Sequence, residues 1–136
     1  MCRTVAEFGE NYLVLDVGCL YVATTLREEI WLYRGKEDPA VLDAICQEAE
    51  GFHIRDVLAD RNLFTFSGGE QAIIAVLLFL TLIESLKLIR INLLLCGVLE
   101  SLSAENRQLL MEKLDASAHR GSVRPYIIRE NRIQPI

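Results

Sequence analysis

Ser67-Gly68-Gly69-Glu70-Gln71 is the stretch whose residue types and spacing could do chemistry. Ser67 is a good helix N-cap, and Glu70 three residues later completes a capping box. The paired glycines bring backbone N–H groups to the start of a helix with no side chain over them. Unpaired N–H groups and the helix dipole together favour an anion at such an end, a phosphate above all. A capping box also closes ordinary core helices. Two readings therefore stand side by side, a phosphate-facing helix start and a plain cap, and the surrounding elements have to separate them.

The glycines open into an apolar run, Ala72 to Ile83, closed off by Glu84, Lys87 and Arg90. The run is too short to span a bilayer and reads as a buried core helix. Downstream, Ile91 to Cys96 (INLLLC) reads as a fully buried strand and 97–102 as a loop. Ser103 caps a helix over 104–118, with Leu109, Leu110 and Leu114 on its apolar face. Arg124 to Arg129 (RPYIIR) reads as a last strand with Pro125 near its start. Upstream, Tyr12 to Val17 (YLVLDV) is a short β-branched strand punctuated by Gly18. Thr24 and Thr25 can cap a helix over Leu26 to Tyr33, with Glu28 and Glu29 in its first turn and Gly35 at its end. Asp38 and Pro39 open a second helix to Glu50, which carries Val41, Leu42, Ile45 and Ala49 on one face and stops at Gly51. Ile54 to Leu58 suggests one further helical turn, and 60–66 a loop leading to the glycine pair. The second half thus alternates helix and strand, which predicts a parallel sheet with crossover helices.

The 136 residues suit one compact domain. A net charge of −5 argues against a dedicated nucleic-acid binder, which would carry a basic footprint. The basic residues are scattered apart from Arg120, Arg124, Arg129 and Arg132. Apolar residues make up 51% of the chain, and the mean hydropathy of +0.26 is high for a soluble monomer, so a partner is expected to cover part of that surface. Cys2, Cys19, Cys46 and Cys96 lie far apart with no CxxC pair, which points to a reduced, cytoplasmic setting without a zinc site or disulfide framework. The N-terminus shows no basic-then-apolar signal pattern. His53 and His119 read as ordinary surface or boundary residues.

Two separated segments resemble one family. Ser67 to Gln71 resembles the signature motif of ABC-type ATPases, and Leu93 to Ser103 (LLLCGVLESLS) resembles that family's Walker B strand running into its D-loop. Ala23 to Ile30 resembles the start of the helical subdomain in transporter-type members, just past the Q-loop. The resemblance covers about residues 12–130 in the family's order. It implies an α/β, partial P-loop-NTPase-like fold: one domain over 1–136, with a helical subdomain at about 18–66, then the signature helix and a short, mostly parallel sheet with crossover helices over 67–136. It also implies that Ser67, Gly68, Gly69 and Glu70 act in trans, on the γ-phosphate of a nucleotide held by the P-loop of an opposite subunit.

The departures from the family are chemical. No GxxxxGK[ST] cradle for phosphates occurs. Leu15 stands near the Q-loop glutamine position, Cys96 at the metal-orienting Asp, Gly97 at the general-base Glu, Ser103 at the D-loop Asp and Arg129 near the switch histidine. Phosphoryl transfer needs a phosphate cradle, a metal and a group to orient water. No catalytic residue, metal ligand or cofactor of its own is therefore expected, and ATP with Mg²⁺ enters only through a partner. Glu100 reads as a solvated surface acid and Cys96 as an inert core cysteine.

The expectation is a non-hydrolytic ABC-like subunit that completes or regulates a P-loop ATPase. It would be cytoplasmic, or peripheral to the inner face of the membrane in a transporter complex. An interaction module is the alternative: the motif is then only a cap, and the sheet side uncovered by loss of the P-loop lobe drives homo-oligomerisation or docking. A third branch is the head of SMC-like ATPases, which the apolar Ala72 to Leu78 resembles where transporters carry a Gln-Arg pair. The absence of coiled-coil heptads and the Ala23 to Ile30 match favour the transporter-like branch.

Overall fold

A computed structural model describes residues 11–136, and in it four strands form one sheet. These are β1 (Tyr12–Asp16), β2 (Ile91–Cys96), β3 (Val123–Arg129) and β4 (Arg132–Pro135), in that spatial order. The pairs β1–β2 and β2–β3 are parallel, with Leu15 beside Leu95, Asp16 beside Cys96 and Cys96 beside Ile128. β4 returns antiparallel along β3. Helices α1 (Leu26–Arg34), α2 (Pro39–Glu50) and α3 (Gly68–Ser85) lie between β1 and β2 in the chain, and α4 (Ala104–His119) between β2 and β3. The architecture is α/β with a small, mostly parallel sheet. Cys2 and the reading of the N-terminal pattern lie outside the described residues.

Local chemistry explains the helix boundaries. Thr25 Oγ1 accepts the Glu28 N–H at 3.2 Å to start α1, and Gly35 at φ 69° ends it. Asp38 accepts the Val41 N–H and the Arg34 Nε, and Pro39 supplies the first helical residue of α2. α3 is apolar on every side, the pattern of a fully buried helix. Every side chain from Ala72 to Leu80 is buried, in one cluster with Ile45 of α2 and with Leu93 and Leu95 of the sheet. α3 is the described helix long and apolar enough to cross a membrane, yet its neighbours within the fold already cover it.

Several features differ from the sequence expectation, among them a 3-10 turn, Leu63–Thr65, in the 60–66 loop. Residues 54–58 are irregular rather than helical, because His53 and Asp56 turn left-handed at φ 60° and 58°. The carbonyls of that segment bond side chains instead: Arg61 Nη1 donates to Arg55 and Asp56, and the Cys46 thiol donates to Val57. The 97–102 loop contains a 3-10 turn, Leu99–Ser101. β4 is an unforeseen strand, joined to β3 through Glu130 and Asn131, both left-handed. That is the backbone of a type I′ hairpin turn without its usual glycine. Finally, the sheet face turned away from the helices does not lie bare, since Leu94, Tyr126 and Ile133 are buried together there.

α3 ends in a Schellman arrangement, with the Leu88 N–H on the Ile83 carbonyl at 2.9 Å and the Lys87 N–H on Glu84 at 3.1 Å. The left-handed residue of that motif is Lys87, φ 55°, where glycine is usual. Lys87→Gly is expected to stabilise the protein by about 1 kcal/mol, since a left-handed non-glycine residue costs about 1–2 kcal/mol and glycine returns part of that as unfolded-state entropy. A urea midpoint that rises without a change in slope checks this; a midpoint that falls contradicts it.

Candidate functional site

The N-terminus of α3 has the geometry the sequence predicts. Ser67 Oγ accepts the Glu70 N–H at 3.2 Å, and Glu70 Oε1 accepts the Ser67 N–H at 3.0 Å. Both halves of the capping box are present. Arg61 holds the approach to it, stacked 3.6 Å over the Phe66 ring and bonded to Thr65 Oγ1. The two glycines play different parts. A Cβ at Gly69 would stand 3.0 Å from the Ser101 carbonyl oxygen, so Gly69 lets α3 lie against the turn that follows β2. A Cβ at Gly68 would meet nothing within 4 Å. Ser67 and Gly68 are exposed. The first N–H groups of a helix have no intrahelical partner, so this end offers donors to the solvent side.

The positions compared with catalytic ones gather at the carboxyl ends of the three parallel strands, the edge where open α/β sheets bind ligands. Leu15 faces the core at 2% exposure and contributes nothing to that edge. Gly97 has φ 74°, and a Cβ there would stand 2.7 Å from Val17 Cγ1. Val17 is held in place by its own N–H on the Cys96 carbonyl at 3.0 Å, inside a turn that Asp16 closes by accepting the Gly18 N–H at 2.8 Å. A valine side chain thus fills the space next to Gly97. Cys96 is half-buried, a correction to its reading as a core residue. Burial first, then the neighbouring Asp16 and Glu100 carboxylates, push its thiol pKa up, away from a nucleophilic thiolate.

Arg129 and Glu100 pair with each other, Nη2 to Oε1 at 2.8 Å and Nε to Oε1 at 2.9 Å. Burial raises the Glu100 carboxyl, but a backbone N–H and Arg129 outweigh it and hold the pKa below its usual value. Glu100 is exposed, as expected of a surface acid, but it is ion-paired rather than merely solvated. Ser103 caps α4, accepting the Asn106 N–H at 3.2 Å. His53 and His119 are exposed.

Two further residues tie the edge to the helices, and the sequence did not single out either. Glu29 is fully buried, and its Oε1 accepts the Val22 and Ala23 N–H groups, both at 2.5 Å. Its Oε2 is buried without a partner. Tyr21 donates its hydroxyl to the Gln71 carbonyl at 2.5 Å, in the first turn of α3. The segment after β1 is thereby fastened to α1 at one point and to the signature-like helix at another. A first-turn glutamate reads as a dipole-compensating surface acid, so nothing in the local sequence marks Glu29 as buried. Among the described residues, no three His, Cys, Asp or Glu side chains form a group that could hold a metal ion.

The fold and this edge together define an α/β protein with a capped, solvent-facing helix N-terminus beside the carboxyl ends of its parallel strands. No family model matches the chain, and no curated protein matches it.

Proposed function

We propose that this chain is a non-hydrolytic, ABC-ATPase-like subunit of partial P-loop-NTPase fold. It presents the Ser67–Gly69 helix start to a nucleotide phosphate held by a partner ATPase. The observation that carries the reading is the contrast between two ends of one edge. The signature-like N-terminus is open to solvent, with free space over Gly68. The general-base position beside it is a left-handed glycine with Val17 packed against it. A chain arranged in this way contributes donors to someone else's phosphate and does no phosphoryl chemistry itself. The cytoplasm and a P-loop partner, rather than nucleic acid, follow from the same reading.

Gly68→Asp separates this function from a purely structural cap. The position is exposed and roomy, and an acid in the first turn suits the helix dipole, so stability should stay within about 0.5 kcal/mol. The added carboxylate repels a phosphate, so capture of a nucleotide-loaded P-loop ATPase by the immobilised protein should be lost. Ser67→Ala should cost about 1 kcal/mol through loss of the cap, and it should weaken the same capture. If wild-type protein never retains a nucleotide-loaded ATPase, or Gly68→Asp captures it equally well, the proposal fails.

A further inference from the structure

The opposite end of the sheet carries a surface that the nucleotide reading does not use. The segment from Leu86 to Arg90 joins α3 to β2 and exposes three aliphatic side chains: Leu86 at 41%, Leu88 at 43% and Ile89 at 66%. Lys87 and Arg90 flank the Leu88-Ile89 pair, and both are left-handed, at φ 55° and 56°. The end of α4 lies alongside, because the Arg90 N–H donates to the Gly121 carbonyl at 2.8 Å and Arg120 pairs with Glu84. Arg124, exposed, stands beside Asn92 at the start of β2. Glu84 occupies Arg120, whereas Lys87, Arg90 and Arg124 have no ion-pair partner among the described residues.

From this juxtaposition we propose that the Leu86–Arg90 loop, with Arg124 beside it, is an attachment site for an anionic lipid surface. Charge complementarity selects the occupant. The chain as a whole carries −5, so an anionic bilayer repels it except where cations are concentrated. Here unpaired cations surround aliphatic tips, the composition of an interfacial anchor: apolar groups enter the headgroup region while Lys and Arg meet lipid phosphates. A second copy fits poorly, since an isologous contact would set Lys87, Arg90 and Arg124 against their own like charges. Nucleic acid fits less well than lipid, because single strands are held on aromatic stacking platforms and the apolar side chains of this loop are all aliphatic.

The test is co-sedimentation of the full chain with vesicles of phosphatidylcholine alone or mixed with phosphatidylglycerol, at low salt. Binding should need the anionic lipid and should fall as salt rises. Lys87→Asn and Arg90→Asn keep a residue that tolerates the left-handed backbone, and each should weaken binding about fivefold. Ile89→Ser, at an exposed side chain, should weaken it about tenfold. Arg132→Gln, in the hairpin at the far end of β3, should leave it unchanged. Circular dichroism melts confirm that each variant is folded. The proposal is overturned if wild-type protein ignores anionic vesicles, or if Arg132→Gln weakens binding as much as Arg90→Asn. It is equally overturned if an oligonucleotide binds at this loop without any effect of Ile89→Ser, or if Ile89→Ser breaks a dimer in lipid-free solution.

Discussion

Gly97→Glu, which installs the acid that the proposed function treats as lost, is expected to destabilise the protein by about 2–3 kcal/mol and to generate no ATP hydrolysis. Two costs add. A non-glycine residue at φ 74° costs about 1–2 kcal/mol. A Cβ placed 2.7 Å from Cγ1 of the exposed Val17 forces that side chain off its position, at a further ~1 kcal/mol. Against a typical total stability of about 5–15 kcal/mol, such a loss is severe. Urea denaturation of wild type, Gly97→Ala and Gly97→Glu measures it, and Gly97→Ala should already show most of the effect. Combining Gly97→Ala with Val17→Ala should recover the steric part and leave the backbone part. A phosphate-release assay on Gly97→Glu, alone and with a P-loop ATPase, completes the test. Wild-type stability in Gly97→Glu, or hydrolysis by it alone, would show that the turn at Val17 yields easily. The expected result says instead that the edge is built around the absence of that side chain.

The parts of this fold that were legible are those set by short-range chemistry. Thr25, Asp38, Ser67 and Ser103 each cap the helix that follows, and each was readable as a cap because the acceptor lies three residues from its donor. The buried strand at Leu93–Leu95 and the buried helix from Ala72 were readable because neither has a polar face. What was not legible depends on partners distant in sequence. Val17 over Gly97 requires the β1–β2 register. The irregular 54–58 segment depends on Arg61 and Cys46 taking carbonyls that a helix would have used. β4 was missed because Glu130-Asn131 adopts a turn that sequence patterns associate with Asn-Gly.

The candidate site divides in the same way. Ser67, Gly68 and Glu70 were legible as a helix start, but the distinct role of Gly69 came only from its approach to Ser101. The link from that helix to the strand edge, Tyr21 to the Gln71 carbonyl, was invisible because an aromatic residue outside any motif gives no local signal. That link matters for the proposed function. Tyr21 sits next to Val22, whose N–H Glu29 holds, so the position of the α3 first turn depends on a buried carboxyl of α1.

Glu29→Ala is accordingly expected to cost about 2–4 kcal/mol, because it strips the acceptor from two N–H groups and leaves a cavity. Glu29→Gln keeps the acceptor and should lie within about 1 kcal/mol of wild type at neutral pH. The pH dependence distinguishes the two oxygens' roles. Burial pushes the Glu29 carboxyl up; the Val22 and Ala23 N–H groups oppose that, Glu28 adds to it, and the net direction is upward. The other groups facing it, Tyr21 and Tyr33, are themselves pushed up by burial and then by Glu29. Above the free carboxyl's pKa of 4.5 the native state therefore binds this proton more tightly than the unfolded chain. The stabilisation is complete below that pH and is lost as pH rises through the folded-state pKa. Wild-type stability should then decline across that interval while Glu29→Gln stays flatter, measured as urea midpoints at successive pH values. Parallel slopes for wild type and Glu29→Gln would assign the buried Oε2 to an ionised group and remove the basis for a neutral carboxyl at this junction. A flatter Glu29→Gln profile would show that the segment between β1 and α1 is pinned by an uncharged acid, whose ionisation beneath the Val22 and Ala23 N–H groups costs stability because Oε2 is buried.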